Sequence, residues 1–129
     1  MRILSSTSLL LVGALMMAAM PTRAEAFTVR FSWAGIPACE EISPAFELAG
    51  VPPGTKQLGF NMVDLNVPTF HHGGSTIAYA GDAVKRGAIR YTGPCPPGGQ
   101  RHRYQWTVKA LDAAGKVLGT ASATETFPP

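Results

Sequence analysis

The chain predicts an all-β fold, a single-domain β-sandwich, and three observations carry that prediction. Apolar residues recur with a period of two in several segments of residues 27–129, so each segment has one dry face and one wet face. No window of eleven residues in that span keeps an apolar stripe at helical spacing, because Pro or Gly interrupts most of them. Turn-forming clusters at 50–54, 73–74, 93–99 and 128–129 separate the alternating runs. Many short strands divided in this way bury their apolar faces by stacking as two sheets.

Phe27, Val29, Phe31 and Trp33 alternate with Thr28, Arg30 and Ser32 and form the first strand. Leu58, Phe60 and Met62 alternate with Gln57, Gly59 and Asn61 in a second run. Tyr104, Trp106, Val108 and Ala110 alternate with Arg103, Gln105, Thr107 and Lys109 in the longest one. Shorter strands are expected at Thr76–Ala80, Ala88–Tyr91, Val117–Ala121 and Thr124–Phe127. Asp112-Ala113-Ala114-Gly115, between two strand runs, reads as a hairpin turn.

The first 26 residues read as a secretory leader and not as part of the domain. Met1-Arg2 begins it, Leu9–Met20 is an apolar or small-residue run, and Ala24-Glu25-Ala26 has the small-x-small form of a cleavage site. The run has twelve residues, short of the roughly 20 that span a bilayer. The expectation is therefore a secreted or periplasmic domain over 27–129 with no stable membrane insertion.

Formal net charge is +3 for the whole chain and +2 for residues 27–129. So mild a balance excludes nucleic acid as a partner on electrostatic grounds. The two cysteines, Cys39 and Cys95, form one disulfide in an oxidising compartment. It closes a loop of about 57 residues, worth roughly 3–4 kcal/mol.

Several segments resemble the phosphatidylethanolamine-binding protein family, which includes the Raf kinase inhibitor proteins and their short secreted bacterial relatives. Tyr91-Thr92-Gly93-Pro94-Cys95-Pro96-Pro97-Gly98-Gly99 followed by His102-Arg103-Tyr104 is similar to the family's G-x-x-P-P loop running into H-R-Y. Ser43-Pro44, Leu48 and Val51-Pro52-Pro53-Gly54-Thr55-Lys56 resemble its approach to the first core strands. Met62-Val63-Asp64 with Pro68, and Ala110-Leu111-Asp112, resemble two further signatures in family order. The resemblance covers about two-thirds of the expected mature chain. It implies a β-sandwich with an anion-sized pocket at one end, here without the C-terminal helix of longer members.

Carried over residue by residue, the resemblance implies a ligand site of Asp64, His72, Pro96, Pro97, His102 and Tyr104, with His71 as the alternative to His72. Two imidazoles, a carboxylate that orients one of them and a stiff Pro-rich rim suit a small anionic or phosphorylated ligand. Arg101 or Arg103 would add a cation at the rim, although strand alternation turns Arg103 away from Tyr104. The chain departs from the family where His72-Gly73-Gly74 replaces a His-Trp pair, removing an aromatic wall. It departs again where Asn66 replaces a second acidic residue.

Other readings are weaker. Asp64 with two histidines lacks a recognised metal spacing, so neither a metal nor a cofactor is expected. His71-His72-Gly73-Gly74 is similar to an esterase oxyanion loop, but there is no G-x-S-x-G elbow to accompany it. The chain is therefore read as non-catalytic. The alternative function is a regulator or inhibitor that binds a protein partner, marked by an exposed apolar patch beside the pocket.

Overall fold

The structure, a computed structural model, describes residues 13–21 and 23–129. Half of the expected leader, residues 1–12 and 22, lies outside the described residues. Eight strands follow in order: β1 (Thr28–Phe31), β2 (Phe46–Ala49), β3 (Gln57–Asp64), β4 (His71–Gly73), β5 (Thr76–Ala78), β6 (Ala83–Val84), β7 (His102–Leu111) and β8 (Val117–Phe127). There is no helix among the described residues.

The strands form two antiparallel sheets. One has the order β1-β2-β6, and the other has the order β4-β3-β7-β8, with β5 also paired to β3. The ladder of β3 with β7 shows why alternation set the fold. Leu58 faces Ala110, Phe60 faces Val108 and Met62 faces Trp106, and all six are buried. One residue further along the same inner face, Asp64 faces Tyr104. The apolar stripe thus ends in a carboxylate, and β7 continues it to His102.

Between the sheets lies an aromatic core. Phe46 meets Phe60 at a ring-centroid distance of 4.8 Å and Trp106 at 5.1 Å, edge to face. Trp33 meets Tyr104 and Phe127 edge to face at 5.9 and 5.6 Å. Aromatic pairs of this geometry add about 0.5–1.5 kcal/mol each beyond the area they bury. Trp106 Nε1 is buried without a hydrogen-bond partner, so that ring serves the core by its bulk.

The strand expectations need four corrections. First, Trp33 lies beyond β1. A turn in which Ile36 N–H donates to the Trp33 carbonyl, with Gly35 at φ 73°, takes the chain out of the sheet. Second, residues 88–91 form no strand, because their N–H groups go elsewhere: Ile89 to Ser43 Oγ and Arg90 to Ser75 Oγ. Third, the two short strands expected near the end are one, β8. Pairing with β7 runs unbroken from Gly119 to Phe127, and a β-bulge shifts the register only at the start of β8, between Ala110 and Leu111. At Gly119, Pro52 packs so closely that a Cβ would lie 2.9 Å from it. Fourth, the strand expected at Thr76–Ala80 stops at Ala78.

β2, β4 and β6 have four residues or fewer, too few to show a period. The Asp112 turn forms as expected. Its carboxylate accepts from the N–H groups of Ala114 and Lys116, joining β7 to β8.

Cys39 and Cys95 form a disulfide. It is reinforced by the Cys39 N–H, which donates to the Pro94 carbonyl at 2.9 Å. At Gly93 a Cβ would sit 1.8 Å from the Glu40 carbonyl oxygen, so only glycine lets the two segments approach this closely. The segment after β1 and the Pro-rich loop before β7 are thereby held together at one end of the sandwich.

Candidate functional site

Asp64 ends β3 and does two jobs. Oδ1 accepts from the N–H groups of Asn66 (2.8 Å) and Val67 (3.1 Å), a local turn that stops the strand. Oδ2 accepts from His102 Nδ1 at 2.7 Å. Burial pushes the carboxyl up, but these hydrogen bonds outweigh it and hold Asp64 below its ordinary value of 3.8. Asn66, which stands where a second acid was expected, is structural. Its side-chain oxygen accepts from the Arg103 N–H at 2.8 Å and ties the loop to β7.

His102 begins β7 and is buried. With Nδ1 committed to Asp64, its Nε2 lies 2.9 Å from the side-chain amide of Gln100. That amide offers its oxygen to an imidazolium or, turned over, its NH2 to the neutral ring. Tyr104, two residues on, lies between the two histidines. Its ring stacks on His102 at 6.2 Å and meets His72 edge-on at 5.4 Å. Burial, together with the nearby Asp64 carboxylate, pushes the Tyr104 hydroxyl well up, so it stays a neutral donor.

A β-bulge decides between His71 and His72. Met62 faces Gly73 and Val63 faces His71, so His72 is the extra residue on β4. Bulges re-aim a side chain in this way, and here His72 is buried while His71 is exposed. His72 Nδ1 donates to the Thr92 carbonyl at 2.7 Å, and the Thr92 N–H returns a bond to the His72 carbonyl at 2.8 Å.

Asp64, His72, Pro96, Pro97, His102 and Tyr104 all line one cavity of about 200 Å³. That is below the roughly 300–1,000 Å³ of sites for drug-sized ligands and is the scale of a small headgroup. Val67, Phe70, Thr92, Gly93 and Cys95 complete the wall. The missing aromatic wall is supplied from another position, because Phe70 packs on His72 at 4.7 Å. The cationic rim is not formed. Arg101 Nε donates to the Pro128 carbonyl, Arg103 is exposed, and neither lines the cavity.

Sequence reasoning missed Phe70, Thr92 and Gln100. Phe70, an aromatic in a polar loop, was the one visible signal. Thr92 acts through its backbone, and nothing marks Gln100. A larger open groove, about 560 Å³, runs along Val29, Phe31 and Ala123 and contains none of the expected residues. Its ion pair, Arg30 with Glu47 at 2.6 Å, is largely exposed on both sides, so the pair contributes little. Among the described residues no group of three or more His, Cys, Asp or Glu is arranged to hold a metal ion.

Residues 69–127, from the loop before β4 through β8, match the family model described as Phosphatidylethanolamine-binding protein. That match spans 59 of the chain's 129 residues, and over it the chain is similar to the family. Two solved structures share its fold. One is Escherichia coli YbcL, described as a new member of the mammalian PEBP family, at 21% identity and TM-score 0.55, covering 80% of this chain and 98% of the other. The second is CT736 of Chlamydia trachomatis, described as a putative phosphatidylethanolamine-binding protein homologue, at 21% identity and TM-score 0.59, covering 84% and 95%. No curated protein matches the chain. The phosphatidylethanolamine-binding family implies ligand binding or a regulatory role, and it is generally non-catalytic. Among the described residues no helix is long and apolar enough to cross a membrane.

Proposed function

We propose that residues 27–129 form a secreted, non-catalytic binding domain that holds a small anionic or phosphorylated ligand in the Asp64–His102 cavity. One observation carries this reading: two imidazoles, a carboxylate, a tyrosine hydroxyl and two prolines, drawn from β3, β4, β7 and the Pro-rich loop, converge on one small cavity. Such a cavity offers directional donors in a partly dry setting, which is what a phosphate or carboxylate requires. Export is supported by the leader-like residues 1–26 and by a disulfide that persists only in an oxidising compartment.

The test is titration of the disulfide-intact domain with phosphate, phosphoethanolamine and acetate, followed by heteronuclear NMR in the wild type and in His102→Ala. Saturable shifts centred on Asp64, His72, His102 and Pro96-Pro97, lost in the variant, are the expected result. Absence of saturation with all three ligands would remove this reading.

A second reading, a protein-binding regulator, has an observation of its own. Leu65, Val67 and Phe70 are large apolar residues exposed by 38–51% beside the cavity. Exposed apolar patches mark interaction surfaces. Under that reading, Leu65→Ser, outside the cavity lining, weakens partner binding but leaves phosphate titration of the cavity intact.

A further inference from the structure

What a ligand meets in the cavity is set by which of its polar atoms are already committed. The Thr92 carbonyl can only accept, so the proton of a neutral His72 sits on Nδ1, and Nε2 is left as a bare acceptor. Asp64 Oδ1 is filled by two backbone N–H groups, whereas Oδ2 takes one hydrogen bond from His102 and keeps acceptor capacity. His102 has both nitrogens engaged, by Asp64 and by Gln100. Tyr104 supplies a neutral hydroxyl.

The charged and titratable groups around His72 are few. β3 contributes Asp64, and β7 contributes His102 and Tyr104. The Pro-rich loop contributes no ionisable group, since Cys95 is in the disulfide. No Lys or Arg side chain lines the cavity. An oxyanion with no hydrogen would set its lone pairs against both His72 Nε2 and the Asp64 carboxylate. An oxyanion that carries a hydroxyl can donate to one of them and use its other oxygens as acceptors.

We infer that the cavity selects oxyanions that retain a hydroxyl at neutral pH, such as hydrogen phosphate, over oxyanions that do not, such as sulfate. This inference rests on the cavity being the ligand site. Sites with fixed acceptors reject an analogue lacking the donor, because buried lone pairs are then left facing each other.

The experiment uses the wild-type domain, inorganic phosphate and sulfate. NMR titrations at pH 7.5 are expected to show phosphate binding at least about ten-fold tighter than sulfate. Equal or tighter sulfate binding at pH 7.5 would overturn the inference while leaving the ligand site intact. Long-range ¹⁵N–¹H correlations of His72 in the free protein give a readout that needs no ligand. The Nδ1–H tautomer is expected at pH 7.5, and an Nε2–H tautomer overturns the inference by itself. If His72 shows the expected tautomer but neither ion saturates, the ligand-site reading fails and the selectivity falls with it.

Discussion

Asp64 and His102 are diagonal neighbours on the inner face of the β3–β7 ladder. Asp64 faces Tyr104, and His102 lies two residues beyond it, so Oδ2 and Nδ1 meet at 2.7 Å where the apolar stripe ends. Diagonal pairs on one sheet face lie within reach of long side chains. This contact joins the end of the core to the start of the candidate site, and three of the four predictions below turn on it or on the loop beside it.

Removing His102 leaves a buried carboxylate short of a hydrogen-bond partner. A hydrogen bond to a charged group is worth about 1.5–3 kcal/mol, and His102→Ala is expected to lose stability in that range. Urea unfolding of the variant at pH 7 checks this. A loss below about 0.5 kcal/mol would show that the pair does not hold the strand ends.

The same carboxylate makes stability depend on acid. Asp64 is held below its ordinary value of 3.8 in the folded chain, so its contribution is fully present above that value. It is lost as pH falls through the lower folded value, because the unfolded chain takes up the proton first. Stability measured from pH 5 downward should therefore decline more steeply in the wild type than in Asp64→Asn. Parallel curves would contradict the assignment.

The disulfide joins the Pro-rich cavity wall to the segment after β1. Replacing both cysteines, Cys39→Ser with Cys95→Ser, is expected to cost about 3–4 kcal/mol by loop entropy. Because Gly93, Cys95, Pro96 and Pro97 all line the cavity, ligand affinity should fall in the folded variant too. Thermal melts and phosphate titrations of the same sample measure both effects.

Gln100 occupies the second nitrogen of His102 from an exposed position. Gln100→Ala frees Nε2 for the ligand at little cost in stability, since surface substitutions usually fall within about 0.5 kcal/mol. Phosphate affinity is expected to fall in NMR titration, because Nε2 of a neutral His102 whose Nδ1 donates to Asp64 is one more acceptor facing the anion. A rise in affinity would show instead that the freed nitrogen carries a proton and donates to the ligand.

Much of this architecture was legible before any coordinates. The alternation at 57–62 and 103–110 located β3 and β7, and Asp112-Ala113-Ala114-Gly115 located the hairpin. These signals are local: side-chain period and turn chemistry act within a few residues and leave a direct trace in the order of residues. The even pair of cysteines was legible for a similar reason, there being one way to join two.

Other features depended on contacts distant in sequence. His72 and not His71 faces inward because a bulge opposite Met62 and Val63 adds one residue to β4. Phe70 forms an aromatic wall that the order of residues had seemed to omit, and Arg101 turns away to the chain end at Pro128. Residues 88–91 alternate like a strand, yet their N–H groups bond to serines 46 and 15 positions away. The sequence by itself determined an all-β domain with one disulfide and the residue types that line the Asp64–His102 cavity. Tertiary structure alone decided which imidazole enters the cavity and which of its nitrogens is free, because tautomer and orientation depend on partners supplied by other strands.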